Sequence, residues 1–264
     1  MPITLHDVHY AYPDGTPAVK SVNLTVDRGE RLAIVGQNGA GKTTTVKLMN
    51  GLLKPTRGTI TVDGLPTATR TTAQIARHVG YVFQNPNDQV FASDVEAELT
   101  LMPRYLRWDA AFTAERVTRA SEIAGIDRYF GSNPNDLPFP IKKFVAIAAI
   151  LVGTCDYVIL DEPTAGLDRP GTRQLLAMMD RLQSEGIAVV TITHDMRFVA
   201  DAFPRVVAMA NGTVIADGSA DDVFADDDVL ARARLQRLEV AQLARNLNLT
   251  DRATRIADVL PLIP

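Results

Sequence analysis

Eight consecutive residues, Gly36-Gln37-Asn38-Gly39-Ala40-Gly41-Lys42-Thr43, fit the pattern G-x-x-x-x-G-K-[ST]. Each part of that pattern has a physical task. The glycines let backbone N–H groups turn inward around phosphate oxygens, where a side chain would obstruct them. The lysine is placed to reach the β- and γ-phosphates of a nucleoside triphosphate, and the threonine hydroxyl to ligate Mg²⁺. An apolar stretch, residues 32–35, precedes the loop, and a predicted helix over residues 42–50, closed by Gly51, follows it. That setting is what the motif requires, and the helix N-terminus adds positive partial charge toward the phosphates. The alternative is an accidental glycine-rich turn, which at average residue usage matches by chance in about 1% of chains of this length. The set assigned to the nucleotide is Gly36, Asn38, Gly39, Ala40, Gly41, Lys42, Thr43 and Thr44.

A second cluster, Tyr157-Val158-Ile159-Leu160-Asp161-Glu162, is an apolar run ending in two acids. In open α/β sheets, ligands bind at the carboxyl ends of strands. Asp161 is therefore placed to hold Mg²⁺, directly or through water, and Glu162 to orient or deprotonate an attacking water. Taken alone, the pair reads equally well as a solvated strand end; beside a phosphate loop the chemical reading prevails. A third apolar run, residues 188–193, ends at His194-Asp195. A lone histidine is more often structural than catalytic, but this one ends a strand as Asp161 does and is placed to hydrogen-bond the γ-phosphate.

These groups need a scaffold of parallel strands. The continuous apolar runs 32–35, 157–160 and 188–192 have the pattern of strands buried on both faces of a parallel sheet. Residues 3–26 instead alternate apolar and polar, with Val8, Tyr10 and Tyr12 on one face, Val22, Leu24 and Val26 on another, and Asp14-Gly15 between them. Together with Thr59-Ile60-Thr61-Val62 before Asp63-Gly64, they predict antiparallel strands joined by turns. The stretch from about residue 88 to 153 has helical periodicity and predicts a helical subdomain inserted into the α/β pattern. Residues 1–220 are thus expected to form one ATPase-type domain and residues 221–264 a helical extension. Val223, Phe224, Leu230, Leu235, Leu238, Leu243 and Leu247 are the candidate apolar positions of that extension, which ends in a Pro-containing tail, residues 260–264.

Composition sets outer bounds. The 264 residues are 46% hydrophobic and 22% charged, as in an ordinary globular protein with a sizeable core. With 27 Lys and Arg against 31 Asp and Glu, the net charge of -4 gives no electrostatic footprint for nucleic acid. The single cysteine, Cys155, excludes an internal disulfide and sits beside an apolar run as a buried, inert thiol. The N-terminus lacks the basic-then-apolar pattern of a secretion signal. The longest apolar-rich segment, residues 144–153, is too short to span a bilayer, so any membrane role is expected to be peripheral.

Taken in order, these motifs make the chain resemble the ABC (ATP-binding cassette) transporter ATPases over nearly its whole length. Val82-Phe83-Gln84 resembles the family's Q-loop, residues 161–168 its Walker B motif running into the D-loop, and Thr193-His194-Asp195 its H-switch. The resemblance implies a P-loop NTPase (RecA-like) core, an antiparallel β subdomain and a helical subdomain, with two subunits closing on two ATP molecules. It makes Glu162, His194 and Gln84 the catalytic set, and Thr43, Gln84 and Asp161 the Mg²⁺ set. It makes Tyr12 the adenine-stacking aromatic, against the alternative of a buried strand tyrosine. It gives Gln84 a second role in coupling to a membrane subunit, against that of a generic loop glutamine. Residues 83–91, then Asp94-Val95-Glu96, and the tail around Gln242–Leu247 are similar to the energy-coupling-factor (ECF) importers of vitamins and metal ions. In those systems the ATPases sit on the cytoplasmic face of the membrane, dock to a transmembrane coupling protein and serve a separate substrate-binding membrane protein.

One departure from the family is large. Where an LSGGQ signature is expected, this chain has Leu137-Pro138-Phe139-Pro140-Ile141 followed by Lys142-Lys143-Phe144. This is either a drifted loop or a specialised, weak half-site, and the second reading implies a heterodimer with an ABC ATPase whose signature is intact. The acids Asp88, Asp94, Glu96 and Glu98, with Val90 and Phe91, are expected to line a groove for a basic helix of the membrane partner. The competing readings of the whole chain are a soluble, non-transport ABC protein acting as a scaffold or ATP-gated module, and a regulatory ATP-binding subunit with negligible turnover.

Overall fold

The computed structural model describes residues 1–250 and 253–262; Ile263 and Pro264 of the expected tail lie outside the described residues. The chain opens with β1 (Ile3–Ala11), β2 (Pro17–Val26) and β3 (Arg31–Val35), then helix α1 (Lys42–Met49), β4 (Arg57–Val62) and the short β5 (Leu65–Pro66). Helix α2 (Thr72–Ala76) leads into β6 (Val79–Val82). Three helices follow before the next strand: α3 (Val95–Leu106), α4 (Ala110–Ala124) and α5 (Phe139–Leu151). Then come β7 (Tyr157–Asp161), α6 (Arg169–Ser184), β8 (Ala188–Ile192), α7 (Met196–Ala202), β9 (Arg205–Ala210) and β10 (Thr213–Gly218). The chain continues through α8 (Ala220–Ala225), α9 (Asp227–Ala233), α10 (Glu239–Asn246) and α11 (Ile256–Val259).

The strands form two sheets. One is antiparallel in the order β2-β1-β4-β5, and the other runs β10-β9-β3-β8-β7-β6. In the second sheet β9, β3, β8, β7 and β6 are parallel, and β10 pairs antiparallel at the edge. This is the expected α/β P-loop architecture with an antiparallel sheet, inserted helices and a helical C-terminal extension. Every residue of β3 and β8 is buried, which explains their unbroken apolar runs. Each such Val or Ile contributes about 1.5–3 kcal/mol, so these strands tolerate polar substitution least. In β1 and β2 only alternate residues are covered, and Val22, Leu24 and Val26 share the buried face with Ile3 and Leu5. The register of β1 shifts between Leu5 and Val8, where Asp7 adopts a left-handed φ of 45°, and the shift returns Val8 to the core.

An ion-pair network joins the two sheets. Arg28 donates to Asp63 at 2.7 Å and to Asp156 at 2.8 Å, while the Tyr157 hydroxyl donates to Asp63 at 3.0 Å. Burial alone would push the Asp63 carboxyl up, but Arg28 and Tyr157 outweigh it and hold the group below its usual range. Asp63, His78 and Asp156 have metal-ligand spacing, yet the Arg28 guanidinium already bridges both carboxylates. The cluster is therefore accounted for as a tie between sheets.

In the extension, Val223, Phe224, Leu230 and Leu238 are buried as expected, but Leu243 and Leu247 are more than half exposed. The buried face of α10 is carried by Ala241 and Ala244 instead, whose small side chains let the helix lie close to its neighbours.

Candidate nucleotide site

Parallel pairing gathers the chemical residues. Strands β3, β8, β7 and β6 are adjacent in that order, and their carboxyl ends deliver the phosphate loop, His194, Asp161-Glu162 and Gln84 to one rim. There a cavity of about 870 Å³ is lined by Asn38, Lys42, Thr43, Gln84, Glu162 and His194, among others. The strand ends thus bring together Gly36, Asn38, Lys42, Thr43, Gln84, Asp161, Glu162 and His194. Gly39, Ala40, Gly41, Thr44 and Tyr12 are not on its wall.

The phosphate loop is glycine-dependent for a steric reason. A Cβ at Gly36 would lie 2.2 Å from the Met209 carbonyl oxygen, and one at Gly41 would lie 2.5 Å from that of Ala18, with φ of 142° and 100°. Ala40 is buried, and its neighbour Gly39 faces open space. The Lys42 ammonium donates to the carbonyls of Gly36 at 2.7 Å and Gln37 at 3.0 Å. Burial lowers its pKa, and the nearby acids Glu162 and Asp161 oppose that shift. Tyr12 is not a buried strand tyrosine: its side chain is 41% exposed, its ring meets that of Tyr10 edge-on, and its hydroxyl lies 2.9 Å from Thr44 Oγ1.

The two acids are held differently. Asp161 receives a hydrogen bond from the Tyr81 hydroxyl at 2.7 Å; burial raises its pKa, while Tyr81, Lys47 and Lys42 pull the other way. Glu162 adopts a left-handed φ of 47°, a costly conformation for a residue with a Cβ, and its N–H donates to the Ile192 carbonyl at 2.8 Å. One oxygen of its carboxylate accepts from Thr193 Oγ1 at 3.1 Å, and the other lies 2.8 Å from His194 Nδ1. The Glu162 side chain is 12% exposed against 79% for His194. A partly buried carboxylate fixed in orientation beside a solvent-facing imidazole is suited to aligning a water and accepting its proton.

Fold and site together define a P-loop ATP-binding cassette. Residues 19–165 match the family model described as ABC transporter. The energy-coupling factor transporter ATP-binding protein EcfA of Methanothermobacter thermautotrophicus is 37% identical, over 94% of this chain and 80% of that protein. The structure of cbiO1 from Clostridium perfringens, part of the ABC transporter complex cbiONQ, superposes with a TM-score of 0.80 at 32% identity, over 93% of this chain and 98% of that one. An ATP-binding cassette dimer in a post-hydrolysis state with ADP and Pi superposes with a TM-score of 0.73 at 25% identity, over 83% and 98%. The chain belongs to the ABC transporter family, as an ATP-binding subunit similar to the energy-coupling factor ATPases. It is an ATP hydrolase of that class.

Several residues that position the site escaped sequence reasoning. Tyr81 and Thr193 each brace an acid, and only Thr193 carried a signal, as part of Thr193-His194-Asp195. Lys143 is 2% exposed and donates to the carbonyls of Glu162, Pro163 and Ala165 at 3.0, 3.2 and 2.7 Å. It thereby ties α5 to the segment after β7. Its basic neighbour Lys142 donates to Asn87 and Asn135, both at 2.6 Å. Nothing in the spacing distinguishes these two buried lysines from surface ones.

Lys143 has a measurable consequence. Burial pushes its ammonium down to about 8 from 10.5. The folded chain then binds fewer protons than the unfolded chain between about pH 8 and 10.5, so stability rises with pH across that window. Relative to Lys143→Met, the wild type should gain on the order of 2 kcal/mol between pH 7 and pH 10. Urea unfolding of both proteins at the two pH values reads this directly, and parallel pH profiles would contradict it.

Two of the four acids expected to line a docking groove are employed within the chain, while Asp88 and Glu96 remain exposed. Glu98 is buried and accepts the N–H groups of Phe91 and Ala92, both at 2.8 Å, so it organises a turn. Asp94 caps α3 through Ala97 N–H at 2.7 Å, and Val90 is buried. Of that set, Phe91 is the apolar residue left on the surface, at 74% exposed. A separate cavity of about 230 Å³, lined by Leu52, Phe83, Met102, Leu106 and Trp108 among others, opens between the sheets and the inserted helices.

Proposed function

We propose that this chain is one of two ATPase subunits powering an importer of the energy-coupling factor type for a vitamin or metal ion, seated peripherally on the cytoplasmic face of the membrane. The observation that carries the reading is the meeting of Lys42, Gln84, Asp161, Glu162 and His194 around one cavity at the ends of adjacent parallel strands. In this reading Gly36, Asn38, Gly39, Ala40, Gly41, Lys42, Thr43 and Thr44 hold the triphosphate, and Tyr12 stacks on adenine. The oxygen donors Thr43, Asp161 and Gln84 suit a hard divalent cation such as Mg²⁺. When bound, that cation neutralises charge on the phosphates. Glu162 orients and deprotonates the attacking water, Thr193 and the His194 N–H fix its carboxylate, and the His194 ring faces the γ-phosphate. ATP closes this subunit on a second ABC ATPase with an intact signature, and hydrolysis reopens the pair.

The motion passes to a transmembrane coupling protein, which serves a substrate-binding membrane protein. The apolar cavity beside Phe83, one residue from Gln84, favours that docking position over the acidic stretch. Leu52, 43% exposed at its mouth, is accessible to a partner. Leu52→Asp should reduce co-purification with the membrane coupling protein about tenfold or more, as loss of a buried apolar anchor does. ATP binding should be unchanged. Full recovery of the complex by Leu52→Asp would remove the groove from the interface.

A further inference from the structure

Part of the nucleotide cavity's wall comes from outside every recognised motif. Arg234, Gln236, Arg237 and Leu238, in the connection between α9 and α10, line it together with Glu239. The connection is tied to the phosphate loop by a backbone bond, Gln37 N–H to the Ala233 carbonyl at 2.9 Å, and Ala233 is fully buried. It also reaches the segment after His194 through the ion pair of Arg197 with Glu239. That second tie joins two exposed side chains and contributes little, so the backbone bond sets the position.

Arg237 stands out within this wall. Its side chain is 11% exposed, and Nη2 donates to Asp227. Its Nη1 is shut from solvent and has no hydrogen-bond partner among the described residues. Leaving such a donor unpaired costs about 1–3 kcal/mol. Asp227 also accepts from Arg245 at 3.0 Å, so one carboxylate is shared between two guanidinium groups. The cavity that Arg237 shares with Gln84, Glu162 and His194 excludes Tyr12 and Thr44. Arg237 thus lines the same cavity as the groups assigned to the terminal phosphate.

We propose that Arg237 is a phosphate-binding residue, through which the C-terminal extension supplies, within the same chain, a cationic contact to the terminal phosphate of ATP. The inference rests on the nucleotide reading of the cavity. Nη1 is closed to solvent, so meeting a phosphate requires the guanidinium to turn toward the cavity, and charge-assisted bonds of this kind are among the stronger ones. ADP lacks the group it meets, so Arg237 discriminates between the two nucleotides and links the helices α10 and α11 to the nucleotide state.

The test is calorimetric titration of the full chain with ADP and with the non-hydrolysable ATP analogue AMP-PNP. Arg237→Gln should weaken AMP-PNP binding about tenfold or more and ADP binding by less than about threefold. Arg237→Lys, which keeps the charge without the planar fork, should fall between. Arg232→Ala removes the same charge from α9 at a residue off the cavity wall, and should match the wild type. Wild-type AMP-PNP affinity in Arg237→Gln, or equal losses for both nucleotides, would overturn the assignment. Should the glutamine variant fail to fold, an AMP-PNP affinity in Arg237→Lys equal to wild type overturns it instead. Lys42→Ala separates the two levels: if it binds AMP-PNP as tightly as wild type, the nucleotide reading of the cavity itself fails.

Discussion

Glu162→Gln is expected to leave nucleotide binding intact and to cut ATP turnover in the assembled complex by about 10²-fold or more. The expectation follows from how the side chain is held. Thr193 Oγ1 and the His194 N–H both donate to one carboxylate oxygen, and the amide that replaces it keeps a carbonyl oxygen able to accept them. Shape, burial and the left-handed backbone at this residue are preserved, so the nucleotide still finds its loop. What disappears is the basic oxygen that takes a proton from water. Lys42→Ala has the opposite profile, because it removes a counter-charge to phosphate. Equal ATPase rates for wild type and Glu162→Gln would remove Glu162 from the chemistry.

The second large effect concerns the altered signature. Pro138 precedes α5 and Pro140 lies in its first turn, so the segment standing where the family's signature is expected, which on the proposed reading caps the partner's γ-phosphate, lacks N–H groups at two positions. Phe139 packs against its own chain: its ring lies 2.8 Å from where a Cβ of Gly166 would be, with the Lys143 ammonium 5.5 Å from the ring centroid. The loop is thus packed onto its own chain's segment after Glu162. In a dimer of two such chains, both ATP molecules meet this poor cap. Removing an oxyanion-type donor costs about 10²–10³ in rate, so the isolated chain should turn over about 10²-fold more slowly than the mixed dimer.

Much of the architecture was legible because each signal had one physical source. Strands buried on both faces must be continuously apolar, so 32–35, 157–160 and 188–192 announced a parallel sheet. A loop that lets no Cβ past Met209 and Ala18 must be glycine at Gly36 and Gly41. The parts that were not legible depend on long-range contact. Glu98 looks like any surface acid of a helix start until its carboxylate is found on the N–H groups of Phe91 and Ala92. Lys143 reads as part of a basic run, yet it is enclosed by three carbonyls from across the fold. Leu243 and Leu247 have helical spacing, but the close approach of Ala241 and Ala244 turns them outward. Arg237 carries no motif; only the return of the chain to the phosphate loop at Ala233 puts it on the cavity wall.

On the proposed reading, ATP hydrolysis on this chain's own phosphate loop, through Glu162, powers an asymmetric pair. A matched pair of Glu→Gln variants in the assembled complex tests it most directly, one at Glu162 and one at the equivalent glutamate of the partner ATPase, with steady-state ATPase activity as the readout. Glu162→Gln is expected nearly to abolish activity while the partner's change does much less, because on that reading only the site on this chain is completed by an intact signature. Equal losses from the two variants, or brisk Glu162-dependent turnover by the purified chain alone, would contradict it.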